Sequence, residues 1–267
     1  MTGDDLEALI ASAAGYQELL VPALFQEWSL RLIAAAEIRP GDRVLDIACG
    51  TGVLTRAAAA RVTQSGSVTG LDPAPGMLAV AKRLAPAIEW RQGTAESLPF
   101  PAESFDVAVS QFGLMFFADR RQAIQEMLRV LTSGGRIGVA VWDLLENIPA
   151  YAAEVALVQR IAGQRPADAL RAPFALGDPN ELIALFSGAG ASRVSATRHL
   201  GTAKFPSVRS MVEADIFGWL PLMGTPLTRA ESDQVLKQAD DVLRPYVTMD
   251  GRVEFPIAAH IVTGAKP

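Results

Sequence analysis

Between residues 43 and 142 the chain alternates short apolar β-rich runs with stretches of helical period. Residues 43–48 form a near-continuous apolar run, as expected of a strand covered on both faces. An alanine-rich helix is predicted over 54–62, a second strand over 67–72 and a second helix over 75–84. That helix opens with Pro75 in its first turn, where a missing N–H costs no helical hydrogen bond. Strands at 88–92, 105–110 and 136–142 follow, with a helix at 120–131 that Gly134 and Gly135 should close in a left-handed cap. Strands alternating with helices predict a doubly wound, mostly parallel α/β sheet with right-handed crossovers.

The flanks read differently. Residues 4–38 suggest two helices ended by the turn Arg39-Pro40-Gly41-Asp42. Past the alternating core, helices are predicted at 148–163 and 178–187, and a strand at 193–205. An apolar helix at 208–223, a polar helix at 228–243 and a last strand at 252–265 complete the chain.

Composition narrows the function classes. The 267 residues are enough to bury a core without disulfide or metal staples. Half of them are hydrophobic and a fifth charged, which excludes a disordered chain. The net charge of −5 lacks the basic excess that nucleic acid or an anionic membrane would require. A single cysteine, Cys49, excludes a disulfide framework and a cysteine-rich zinc site, and with His199 and His260 as the only histidines no metal centre is expected. Acids stand at positions 4 and 5, where a signal peptide would be basic. No uninterrupted apolar stretch approaches the roughly 18 residues of a membrane span. The expectation is a soluble cytoplasmic protein.

Chemistry concentrates in Val44-Leu45-Asp46-Ile47-Ala48-Cys49-Gly50-Thr51-Gly52, a strand running into a glycine turn and then a helix. Such a turn lets a ligand approach the backbone, and the helix behind it offers free N–H groups. Asp72 closes the next strand, where a carboxylate can accept from both hydroxyls of a ribose. A dinucleotide fingerprint would need a small third residue, but Thr55 stands there. Asp46, four residues before Gly50, points instead to a ligand with a cationic end.

The combination resembles the class I S-adenosylmethionine-dependent methyltransferases, in particular the small-molecule branch of the ubiquinone/menaquinone biosynthesis methyltransferases. The resemblance covers residues 44 to about 143. Asp46, Ala48, Gly50 and Gly52 match the first motif, with alanine for its first glycine. Gly70-Leu71-Asp72-Pro73 and Met77 match the second, Gln92 to Phe100 with Ser104 to Val107 the third, and Leu128 to Arg136 the fourth. The resemblance implies a Rossmann-like seven-stranded sheet with an antiparallel closing strand and a helical cap. It divides the chain into an N-terminal helical lid (1–42), a cofactor-binding core (43–147), and helices, apolar cap (about 206–245) and closing strands of the same domain (148–267). It also implies S-adenosyl-L-methionine as cofactor. Asp46 and the turn Ala48, Gly50, Thr51 and Gly52 would hold the methionine end, Asp72 the ribose and Met77 one adenine face. Ala95 would meet the adenine edge, beside Thr94 where relatives usually carry aspartate, and Gln111 would lie near the cofactor.

The acceptor is expected beyond the ends of the fourth and fifth strands. Tyr16, Gln111 and Asp143 are the candidates for proton chemistry there, and Met211, Phe217, Trp219, Leu222 and Met223 for an apolar substrate wall. Asp106 reads as a structural acid and Cys49 as a buried filler. The partner is then a small molecule, with a homodimer left open. Two other readings share the fold: cyclisation or rearrangement with the sulfonium as a fixed charge, and a non-catalytic nucleoside-binding module.

Overall fold

Seven strands form one sheet in the order β3-β2-β1-β4-β5-β7-β6, in a computed structural model that describes residues 3–267. They are β1 (Arg43–Ile47), β2 (Ser67–Asp72), β3 (Glu89–Gln92), β4 (Phe105–Gln111), β5 (Leu131–Trp142), β6 (Ser192–Phe205) and β7 (Val253–Ala265). The first five run parallel, and β7 inserts antiparallel between β5 and β6. The order reverses between β1 and β4, so a crevice opens beyond their carboxyl ends. Both strands carry candidate residues at that end.

Burial follows the topology. β1 and β2 are buried from their second residue onward, as a strand covered on both faces must be. The outer strand β6 alternates over much of its length because one of its faces meets water.

Eleven α-helices are found among the described residues: α1 (Gly3–Gly15), α2 (Gln26–Ala35), α3 (Val53–Val62), α4 (Pro75–Leu84), α5 (Arg120–Val130), α6 (Pro149–Ala162), α7 (Gln164–Arg171), α8 (Pro179–Gly188), α9 (Val208–Glu213), α10 (Leu220–Leu222) and α11 (Arg229–Leu243). The last is opened by a capping box in which Thr228 and Glu231 satisfy each other's backbone N–H groups.

Three expectations are corrected. The N-terminal segment is one continuous helical run, not two helices. Pro22, which would clash in an α-helix, sits in π-type turns over Tyr16–Phe25 that carry the chain past it without a break. Asp5–Ala35 of this run is long and apolar enough to cross a bilayer by length and composition, though Glu7, Glu18 and Glu27 interrupt it. Its far end is core, however, with Trp28 and Leu32 fully buried. Gly134 does take a left-handed φ of +73°, but helix α5 has already ended at Val130, and the glycine lies inside β5 near an irregularity in its pairing with β4. Finally, 208–223 is not a single helix. A π-type turn over Ala214–Trp219 separates α9 from α10. Residues 1 and 2 of the expected lid lie outside the described residues.

Candidate functional site

The carboxyl end of β1 and the turn after it bring the first motif together. Ala48, Gly50 and Gly52 all have left-handed backbones, with φ of +57°, +55° and +83°. Ala48 adopts this conformation against its side chain's preference, which accounts for the glycine usual at the corresponding position of the motif. A Cβ on Gly52 would stand 2.4 Å from the Trp90 ring, so packing reserves that position for glycine. At Gly50 an added Cβ would meet no atom of the chain. The backbone there faces open space, as a ligand cradle must.

Asp46 lies beneath this turn and is buried. Its Oδ2 accepts from the Thr55 hydroxyl at 2.6 Å, while Oδ1 has no partner in the chain. Thr55, the residue that spoils the dinucleotide fingerprint, thus serves as the partner of the acid. Burial pushes the Asp46 carboxyl up to about 7, with the Thr55 hydrogen bond opposing the rise and the Asp72 charge adding to it. The Thr51 hydroxyl is likewise buried without a partner. These orphaned groups beside an open cradle fit a ligand bearing a cation and hydrogen-bonding groups.

Asp72, at the end of β2, fastens the turn from the other side. Its Oδ2 accepts from Gly50 N–H and its Oδ1 from Ala74 N–H, each at 2.8 Å. Burial raises its carboxyl and the two amides oppose that rise. One lone pair on each oxygen remains for a ribose hydroxyl.

The helical run from α1 covers the turn. Gln17 lies 3.5 Å from Arg56, which in turn donates to the Thr51 carbonyl. Tyr16 stacks on Phe25 with ring centroids 5.4 Å apart. Desolvation, then the charges of Asp72 and Cys49, hold its phenol well above the ordinary value. Met77, in the first turn of α4, shares with Tyr16, Leu19, Phe217 and Trp219 a cavity of about 390 Å³ between this run and the cap.

A second, narrower cavity begins at Tyr16 and Trp219 and runs over the ends of β4 and β5. Phe112 and Trp142 form its floor, stacked 3.7 Å apart at 13°. Phe112 holds a left-handed φ of +58°, an outlier for a bulky residue that sets its ring on Trp142. Tyr151, Phe174 and Asp215 line its far wall.

The remaining candidates separate. Gln111 has both ends of its amide occupied, accepting from Ser29 Oγ at 3.1 Å and donating to the Phe25 carbonyl at 3.1 Å, so it ties the N-terminal run to β4. Asp143 accepts from Arg198 Nε, the Leu144 N–H and Asn147 Nδ2, and its Oδ1 lies 3.2 Å from His260 Nε2. Burial alone would raise this carboxyl, but the four partners together hold it below the usual range. Asp143 lines neither cavity and works as the clasp between β5 and the β6–β7 pair. Thr94 is exposed and Ala95 buried in the loop after β3. Glu96 accepts from the Ala118 N–H and thereby holds the segment leading into α5. Of the cap residues, Phe217, Trp219 and Leu222 line the first cavity, whereas Met211 is core and Met223 lies at the surface.

Two acidic residues were missed. Glu154 of α6 is fully buried, and Asp215 in the π-type turn of the cap is 8 % exposed. The sequence does carry a signal: Glu154 falls at helical spacing with the apolar residues Tyr151, Val155 and Val158, and Asp215 interrupts the apolar run from Met211 to Leu220.

Glycine turn, paired acids and the switch-point crevice are set in an α/β domain with the class I methyltransferase fold. Residues 44–135 match the methyltransferase domain family. The chain is 40 % identical over 119 residues to 2-phytyl-1,4-naphtoquinone methyltransferase of Thermosynechococcus vestitus, covering 43 % of this chain and 53 % of that protein. It is 38 % identical over 128 residues to the ubiquinone/menaquinone biosynthesis C-methyltransferase UbiE of Xanthomonas campestris, covering 46 % and 51 %. The chain thus spans about half the length of the curated relatives it matches. Among solved structures, the YcgJ protein of Bacillus subtilis shares the fold with a TM-score of 0.58 and 23 % identity, over 90 % of this chain and 98 % of that one. A phosphoethanolamine N-methyltransferase of Haemonchus contortus, solved with S-adenosylhomocysteine, does so with a TM-score of 0.59 and 16 % identity, over 97 % and 57 %.

Proposed function

We propose that this protein transfers the methyl group of S-adenosylmethionine to a small, partly apolar ring compound of the general kind named for its curated relatives. The observation that carries the reading is the open cradle at Gly50, flanked by Asp46 and Asp72, with Tyr16 near enough to feel the Asp72 charge and itself lining an aromatic cavity. Asp46 and Thr51 would hold the amino-acid end, Asp72 the ribose and Met77 the adenine. Thr94 and Ala95 would stand at the adenine edge. Bound there, the cofactor supplies a methyl group already activated by a sulfonium. The chain's own task is alignment and exclusion of water, which can be worth about 7–11 kcal/mol in favourable cases. The N-terminal run acts as a lid over the turn, the Phe112–Trp142 stack as a flat wall for the acceptor, and Gln111 as the strut that keeps lid and wall in register. Residues 1–42, 43–147 and 148–267 are in this reading the lid, the core, and the cap with closing strands of one domain.

The test is calorimetry with S-adenosylhomocysteine, followed by incubation with labelled S-adenosylmethionine and a metabolite extract. Tight binding and formation of S-adenosylhomocysteine are expected. Preference for a nicotinamide dinucleotide would overturn the assignment, and a product formed without S-adenosylhomocysteine would show catalysis without methyl transfer.

A further inference from the structure

The aromatic cavity holds one ionisable group that no lining partner explains. Asp215 lies in its wall, yet Oδ2 receives no hydrogen bond from any donor of the chain. Behind it stands Glu154, fully buried, with neither Oε1 nor Oε2 reached by an N–H or O–H. The two buried carboxyls act on each other electrostatically. Tyr151, one turn before Glu154 on α6, is the other titratable group beside them. Asp143, the other buried acid of this region, is fully partnered. A buried carboxyl pair without cation or donor is costly to keep. It makes sense where something that enters the cavity brings the missing partner.

We propose that Glu154 and Asp215 form the proton-accepting pair of the acceptor pocket, with Asp215 receiving the proton of an aromatic hydroxyl on the bound substrate and Glu154 setting its charge. The inference rests on the methyltransferase reading above and deepens it. Burial drives both carboxyls upward, and of the two only Asp215 lines the cavity, so it is the one a substrate reaches. The balance is simple. The O–H bond breaks, its proton goes to Asp215 and its electron pair stays on the substrate, which becomes the better nucleophile. The new bond to the methyl carbon forms as the carbon–sulfur bond breaks with its pair on sulfur, and Asp215 later releases its proton to water. The unpartnered Oδ2 offers an acceptor to a hydroxyl, and the stacked Phe112–Trp142 floor offers a face to a flat ring.

The test uses the full chain with its cofactor site filled by S-adenosylhomocysteine, and compares 2-naphthol, 2-methoxynaphthalene and 1-naphthylmethylamine by fluorescence titration. The wild type should bind 2-naphthol at least about tenfold tighter than its methoxy analogue, as expected for a hydrogen bond to a charged acceptor. Asp215→Asn should abolish that preference while binding S-adenosylhomocysteine as before and melting no lower than the wild type. Glu154→Gln should retain the preference, whereas Glu154→Leu should move the pH at which it appears upward, a shift that mere packing would not produce. A preference unchanged in Asp215→Asn overturns the proposal, as does failure of 2-naphthol to bind the loaded protein. Tighter binding of the amine by more than about tenfold would make the pair a cation site instead. If S-adenosylhomocysteine itself does not bind the wild type, the methyltransferase reading falls and this inference with it.

Discussion

Replacing Asp46 by asparagine separates what this carboxyl does to the fold from what it does for a ligand. The side chain is 1 % exposed, its one partner is the Thr55 hydroxyl, and burial lifts it from 3.8 to about 7. An acid whose folded value lies above its unfolded one weakens the fold, because the unfolded chain releases the proton first. The penalty is absent below about pH 4, grows through the interval and is complete above about pH 7. A rise of about three units corresponds to about 4 kcal/mol at most. Of this, roughly 2–3 kcal/mol should develop between about pH 5 and pH 8. Asparagine keeps the shape and cannot ionise. Urea unfolding across that pH range should therefore show the variant gaining on the wild type as pH rises. The difference between the two proteins isolates Asp46 from Asp215, which burial also raises. Calorimetry on the same variant should show S-adenosylhomocysteine weakened at least about tenfold, since a neutral amide makes a weaker bond to a cationic amino group. Stability curves that run parallel across the range would refute the electrostatic argument and remove the physical basis for a cation at Asp46.

Three further outcomes follow from the same geometry. Asp72→Ala should weaken S-adenosylhomocysteine binding by at least about tenfold in calorimetry, since each charge-assisted ribose bond is worth about 1.5–3 kcal/mol; unchanged affinity would misplace the ribose. Gly50→Ala should cost about 1–2 kcal/mol through its left-handed backbone and sharply reduce cofactor binding. Gly52→Ala should lose a further 1–3 kcal/mol or so against the Trp90 ring, and equal chemical denaturation of the two would contradict the packing. Asp143→Ala should lose about 2–3 kcal/mol at neutral pH by stranding His260 Nε2 in the interior. Because the Asp143 carboxyl is held low, its contribution is present above about pH 4 and disappears as pH falls through the depressed folded value. Thermal melts of wild type and variant should therefore converge in acid.

The parallel core was legible because local chemistry and tertiary position agree there. Strand β1 is apolar because both its faces are covered, and the glycine turn announces itself because backbone must come close to a ligand. The first motif, Asp46 through Gly52, and Asp72 are near each other in the chain or separated by one strand–helix–strand unit, so their spacing alone brings them together. The lid was harder. Pro22 reads as a helix break until the π-type turns that absorb it are seen, and these end on Phe25, which packs on Phe112 and Trp142.

Long-range pairing lay beyond the pattern. Asp143 looks like a free acid at a strand end, and its pairing with Arg198 and hydrogen-bonding contact with His260 depend on β7 inserting between β5 and β6. Glu154 and Asp215 lie 61 positions apart on α6 and in the cap, and only the tertiary fold buries both so that each feels the other's charge. The residues themselves thus determined the sheet's core and the cradle, through periodicity and backbone freedom. Which acids stay ionised, and which face an empty aromatic cavity, was decided by the tertiary fold, because desolvation and charge pairing depend on neighbours in space rather than along the chain.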